Sequence, residues 1–151
     1  MAEENSILTL MVSHHALLEA LFFSFRDEAR DNSKRAEASL SELVWEIRKH
    51  FFIEESAIFD FIPLKTMKIF ETMNHLRDEH LMMLIDLKRF SENFSEIKSE
   101  DIENFYKLLM HHREMEEKEL YPQLDKELND EQKRHIIHRI NEIPVTKNFS
   151  K

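Results

Sequence analysis

Apolar residues recur three and four positions apart along almost the whole chain, and period-two alternation is absent. That spacing belongs to amphipathic helices, in which residues i, i+3 and i+4 share a face. The pattern predicts a first helix over about 5–31, with Leu8, Met11, Leu18, Phe22 and Phe25 on one stripe. The polar stretch "DNSKR" at 31–35 breaks it, and Asn32 or Ser33 can cap the next helix. The second helix runs to about Phe61, with Leu40, Leu43, Ile47, Ile58 and Phe61 inward, and Pro63 ends it. A third covers about 66–94, with Ile69, Met73, Leu76, Met83 and Leu87 inward. Ser99 can cap a fourth, whose Glu100 and Asp101 suit the positive end of a helix. This helix runs to about Tyr121 and is interrupted at Pro122. A shorter fifth helix is expected at about 130–142, where Asn129 and Gln132 resemble a capping box.

Four long helices with short connections predict an all-α fold: an up-down-up-down four-helix bundle with a short additional C-terminal helix. Residues 1–143 form the domain, and 144–151 form a flexible tail. Composition supports this reading. The chain has no glycine and three prolines, where strand-rich folds draw on glycine for their turns.

Charge narrows the range of partners. The net charge is −9 and no basic stripe occurs, which argues against nucleic acid or an anionic membrane surface. No apolar run approaches the roughly 20 residues that span a bilayer. The acidic start "MAEENSILTLMVS" lacks the form of a signal peptide. Without cysteine there are no disulfides, no thiol redox chemistry and no thiolate metal sites. These features together predict a cytoplasmic protein.

Chemistry concentrates in two similar stretches, "HFFIEESAIF" from His50 and "HREMEEKELY" from His112. An H-x-x-x-E pair on a helix points an imidazole and a carboxylate the same way, one turn apart. Five such pairs occur: His15/Glu19, His50/Glu54, His75/Glu79, His112/Glu116 and His138/Glu142. Spacing does not choose among them, but the helix face does. Glu54 and Glu116 fall in the middle of apolar stripes, as do His15 and His80. His75 and Glu79 fall on a solvated face, and His135 and His138 lie beyond the four long helices. A faint duplication pairs His15 with His80, and His50/Glu54 with His112/Glu116. It brings six groups to one level of the core: His15, His50, Glu54, His80, His112 and Glu116.

A buried carboxylate without compensation is costly. Four imidazoles and two carboxylates can be met by two divalent cations, each taking two histidines, with both glutamates bridging. Donors of this kind without sulfur suit Fe, Mn or Zn. The competing reading is a set of core residues hydrogen-bonded to one another. His14 and His111 remain alternatives in register to His15 and His112.

His15, "HFFIEE", "DEH" ending in His80, and "HREMEEKELYP" together resemble the hemerythrin-like HHE cation-binding domain family over about residues 7–124. The resemblance implies two non-haem iron ions, oxo- or hydroxo-bridged, inside a four-helix bundle. It makes His15, His50, His80 and His112 terminal ligands, and Glu54 and Glu116 bridging ones. The O2-carrying members show H-x-x-x-H on the third helix, whereas Leu76 and Leu84 flank His80 here. They also carry an Asp five positions after the last His, whereas Glu116 follows His112 by four. These departures argue for redox chemistry or sensing over simple O2 carriage. The resemblance thus implies a protein that binds or senses O2, NO or peroxide, served by an unidentified redox partner. The alternatives are a di-iron oxidase or peroxidase with the same ligands, and a metal-free helical interaction module.

Overall fold

The computed structural model describes residues 6–62 and 67–142. The described residues are helical almost throughout, and no strand occurs among them. Helix α1 spans Ile7–Arg30, α2 Ala36–Ile53, α3 Met67–Glu92, α4 Ser99–Met115, α5 Tyr121–Glu127 and α6 Asp130–Glu142. A π-helical turn, Glu54–Ile58, and a 3-10 turn, Phe59–Phe61, extend α2. A second π turn, Glu116–Leu120, joins α4 to α5, so the two read as one long helix.

The helix ends follow local chemistry. Asn32 has φ 52°, and Ser33 N–H donates to Glu28 while Asn32 N–H donates to Ala29. That is a left-handed helix stop, with asparagine standing where glycine usually would. Asn32 therefore closes α1 instead of capping α2. Ser33 Oγ accepts from Arg35 N–H just before α2 begins at Ala36. Ser99 is the first residue of α4 and not its cap; Asp101 accepts from Lys98 N–H there. Asn129 and Gln132 bond reciprocally at the start of α6, as the capping-box spacing predicts. The start of α1 is held from far away in sequence. Asp125 on α5 accepts from Ser6 Oγ and from the backbone N–H groups of Ile7 and Leu8.

The two π turns change the register that a constant 3.6-residue period assumes. A π turn inserts one residue into the helix and rotates all that follow. Phe61, expected inward, is 44% exposed, and Ile62 is buried instead. Pro122 does not interrupt the fourth helix, which continues to Glu127. The wider π turn before it relieves the clash of the proline ring with the preceding carbonyls. Pro63 and the 144–151 tail lie outside the described residues.

One further expectation is corrected. Helix α1 is long and apolar enough, by length and composition alone, to cross a membrane. Its apolar stripe of Ile7, Met11, Leu18, Phe22 and Phe25 is buried in the bundle.

The core is divided in two. One cluster gathers Ile7, Met11, Ile58, Leu76, Tyr121 and Leu124. The other gathers Leu18, Phe22, Leu43, Ile47, Met83 and Phe105. On each of the four long helices a buried histidine falls between the two clusters, so a polar layer crosses the middle of the bundle.

The Asp125 clamp generates a prediction. Asp125→Ala leaves three donors at the start of α1 without their acceptor, so unfolding free energy falls by about 1–2 kcal/mol. Urea denaturation checks this, and an unchanged midpoint would contradict the clamp.

Candidate metal centre

Four elements deliver the polar layer. α1 brings His15, α2 and its π turn bring His50 and Glu54, and α3 brings His80. α4 and its π turn bring His112 and Glu116. All six are at most 5% exposed, and both glutamates are fully buried. Each glutamate is the first residue of a π turn, an element that is frequent at functional sites.

The donor atoms converge in two groups that share Glu116: Glu54, His80, His112 and Glu116 in one, and His15, His50 and Glu116 in the other. Within each group one ligand atom per residue lies within 4.8 Å of the rest. His80 Nε2 is 2.8 Å from Glu54 Oε1, and His112 Nε2 is 3.0 Å from Glu116 Oε2. His15 Nε2 is 2.9 Å from Glu116 Oε1. The Nε2 atoms of His80 and His112 face each other at 3.2 Å. His14 is only half-buried and His111 is 59% exposed on its side chain, whereas His15 and His112 are buried in the layer.

A second layer of carboxylates holds the imidazoles from outside. Glu117 lies 2.6 Å from His15 Nδ1, Glu55 2.6 Å from His80 Nδ1, and Glu79 2.9 Å from His112 Nδ1. Each of these rings turns Nδ1 outward to a carboxylate and Nε2 inward, the orientation a cation requires. Phe51 stacks on His80 with centroids 3.9 Å apart and fixes that ring further. The Tyr121 hydroxyl donates to Glu54 Oε2.

Sequence reasoning missed these outer groups. Glu79 was expected on a solvated face, yet it is buried against His112. His111 and His112 of α4 pack against it, which a single-helix projection does not register. Glu55 and Glu117 carried a signal: each is the second Glu of an "EE" doublet, at matching places in the two repeats. His75 is exposed as expected, and so are His135 and His138.

The donors fit a cation on the chemistry of what is left unpaired. Both ring nitrogens of His50, both oxygens of Glu116, Glu54 Oε1 and His15 Nε2 have no hydrogen-bond partner among the described residues. The short contacts of Glu116 with His15 and His112 lack the alignment of hydrogen bonds. Buried polar atoms are ordinarily paired, and leaving this many open is costly.

Electrostatics agree. Burial opposes the charge on Glu54, but contacts with Glu116, His112 and His80 hold its carboxyl well below the usual range. Burial and the charge of Glu54 push Glu116 up. Burial also opposes charge on His112, yet Glu116, Glu54 and Glu79 raise it well above an ordinary imidazole. His15 and His80 are raised too, against burial, by Glu116 and Glu117 in one case and by Glu54 and Glu55 in the other. Burial keeps His50 well below the ordinary value.

A cavity of about 10 Å3 opens beside His15, His50 and His112, walled by Leu18, Phe51, Leu109 and Met110. Two larger hollows, of about 750 and 420 Å3, open elsewhere on the surface and are not lined by any of the six inward groups.

The model of the hemerythrin HHE cation-binding domain matches residues 6–124 of the chain. No curated protein and no solved structure gives a significant match.

Raised imidazoles must lose their protons before they can bind a cation. His15, His80 and His112 hold protons to higher pH than free histidine, so uptake strengthens as pH rises and weakens as it falls. Competition titration against a chelator is expected to show affinity falling by about tenfold or more from pH 8 to pH 6. Uptake independent of pH over that window would contradict the assignment.

Proposed function

The chain belongs to the hemerythrin HHE cation-binding domain family, and we propose that it is a non-haem di-iron protein that binds or senses a small oxidant such as O2, NO or peroxide. The observation that carries the metal reading is the buried layer in which the side chains of His50 and Glu116 have no aligned hydrogen-bond partner among the described residues. We read the helix order as an up-down-up-down bundle, which the short connections at 31–35 and 93–98 support.

In this reading His80, His112, Glu54 and Glu116 would hold one ion, and His15, His50 and Glu116 would hold the other. Iron held there would supply one-electron redox chemistry toward a small ligand. The chain's own residues do the rest. Glu117, Glu55 and Glu79 hold the Nδ1 protons of His15, His80 and His112 and keep their Nε2 atoms inward. Tyr121 fixes one oxygen of Glu54 and leaves Oε1 toward His80. Leu18, Phe51, Leu109 and Met110 keep the cavity small and apolar, with room for about one water. That size suits a diatomic or a peroxide and rejects an organic substrate. The ion pair between Arg113 and Glu19 lies on the same cavity wall.

The two halves are not equivalent. The residue before His80 is Glu79, which binds His112; the residue before His15 is His14, which faces His50 edge-on with centroids 5.9 Å apart. His50 therefore has no outer carboxylate. It also borders both the inner cavity and an outer groove of about 150 Å3 that His14 and Lys49 help to line. This makes the His15/His50 position the more weakly held of the two, and the one nearer the way in.

Anaerobic titration with ferrous salt tests the ligand assignment. Glu54→Ala and His112→Ala are expected to lower iron affinity by about tenfold or more, whereas His75→Ala and His138→Ala leave it unchanged. Equal loss, or no loss, across the four variants would sink the assignment. A second variant tests the cavity. Leu18→Phe is expected to keep the iron content and slow reaction with O2 and NO in stopped-flow absorption. Unaltered rates would place the ligand elsewhere.

A further inference from the structure

Glu79 is engaged on two sides. Its Oε1 accepts from His112 Nδ1 at 2.9 Å, facing the inner layer. Its Oε2 lies 2.8 Å from His111 Nδ1 and 3.2 Å from His75 Nε2, facing solvent. The side chains of His75 and His111 are 49% and 59% exposed, while Glu79 is buried. Neither exposed histidine belongs to the inner set.

We propose that His75, Glu79 and His111 form a second, outer cation site for a divalent transition ion such as Zn2+, which shares the Glu79 carboxylate with His112.

The donor set and its spacing both fit. Two imidazoles and one carboxylate, with one position left to solvent, are a frequent zinc arrangement. Donors about 2.0–2.2 Å from a tetrahedral ion stand about 3.3–3.6 Å from one another. The contacts of Glu79 Oε2 with His75 and His111 are already near that range, so an ion needs only a small outward shift of the rings. The three donor atoms lie within 4.8 Å of one another. They are mounted on regular helix: His75 and Glu79 one turn apart on α3, and His111 on α4, which packs against it. The two rings stand edge to face at 6.1 Å and leave the outer side open to incoming ions. The exposed pair His138/Glu142 has the same spacing, with a 3.0 Å contact, but no third donor joins it among the described residues. Of these two outer clips, the one at Glu79 gains a third donor among the described residues.

Occupancy has a consequence inward. A cation on Oε2 withdraws charge from the carboxylate that holds His112 Nδ1–H. His112 then becomes a weaker donor to the inner centre. The level of the outer ion is thereby passed to the inner pair through one side chain. This coupling rests on the di-iron reading, whereas the outer site does not.

Calorimetric titration of the iron-loaded full chain with Zn2+ tests the proposal, with released iron and the visible spectrum followed alongside. The unaltered chain is expected to bind one Zn2+ without releasing iron. His75→Ala and His111→Ala each lower that affinity at least about tenfold, and iron content stays unchanged. No Zn2+ binding, or undiminished binding in the double variant, would overturn the site. Zn2+ binding that needs both histidines but leaves the iron spectrum unmoved would overturn the coupling alone. Should the chain hold no iron, the same titration on the metal-free chain decides separately. One Zn2+ lost in the double variant supports the outer site, and uptake indifferent to both substitutions overturns it.

Discussion

Two fully buried carboxylates, Glu54 and Glu116, meet in the middle of this bundle, and much of the fold is arranged around their needs. A carboxylate stripped of water must find positive charge or take up a proton. Four imidazoles reach them from four elements, and the two glutamates divide their fates: Glu54 is held ionised while Glu116 is pushed toward the neutral form. That compromise still leaves buried polar atoms without partners. The apolar core is split into two clusters by the layer, so the hydrophobic contacts on either side hold the donors at one level. The layer is a specific and costly arrangement, and cations account for it better than a network of incomplete hydrogen bonds.

Most of this arrangement was legible in the sequence because it depends on helical period. Helix positions followed from apolar spacing, and the six inward groups followed from where His and Glu interrupt that spacing. What escaped depends on departures from the period or on contacts between helices. Phe61 and Ile62 exchanged places because a π turn adds a residue after Glu54. Pro122 reads as a break in isolation, but a π turn just before it lets the helix run on. Asn32 serves α1 and not α2, since its positive φ, which asparagine tolerates, closes the preceding helix. Glu79 looks solvated on its own helix and is covered only by α4.

The outer carboxylates tie the fold to chemistry. Glu55, Glu79 and Glu117 each orient one imidazole, which explains why both halves of the internal repeat end in paired glutamates. His50 is the exception, and His14 occupies the place where the other half has Glu79. The two halves of the repeat therefore surround their inward histidines differently. The small apolar cavity lies beside His15, His50 and His112.

The most direct test is the metal content of the full chain purified after expression with ample iron, with its visible absorption spectrum. The account predicts about two irons per chain and the bands of an oxo-bridged ferric pair. A chain that emerges without metal, and takes up none from ferrous salt under anaerobic conditions, would contradict it. The six inward groups would then be a structural network, and the bundle a scaffold for contacts of another kind.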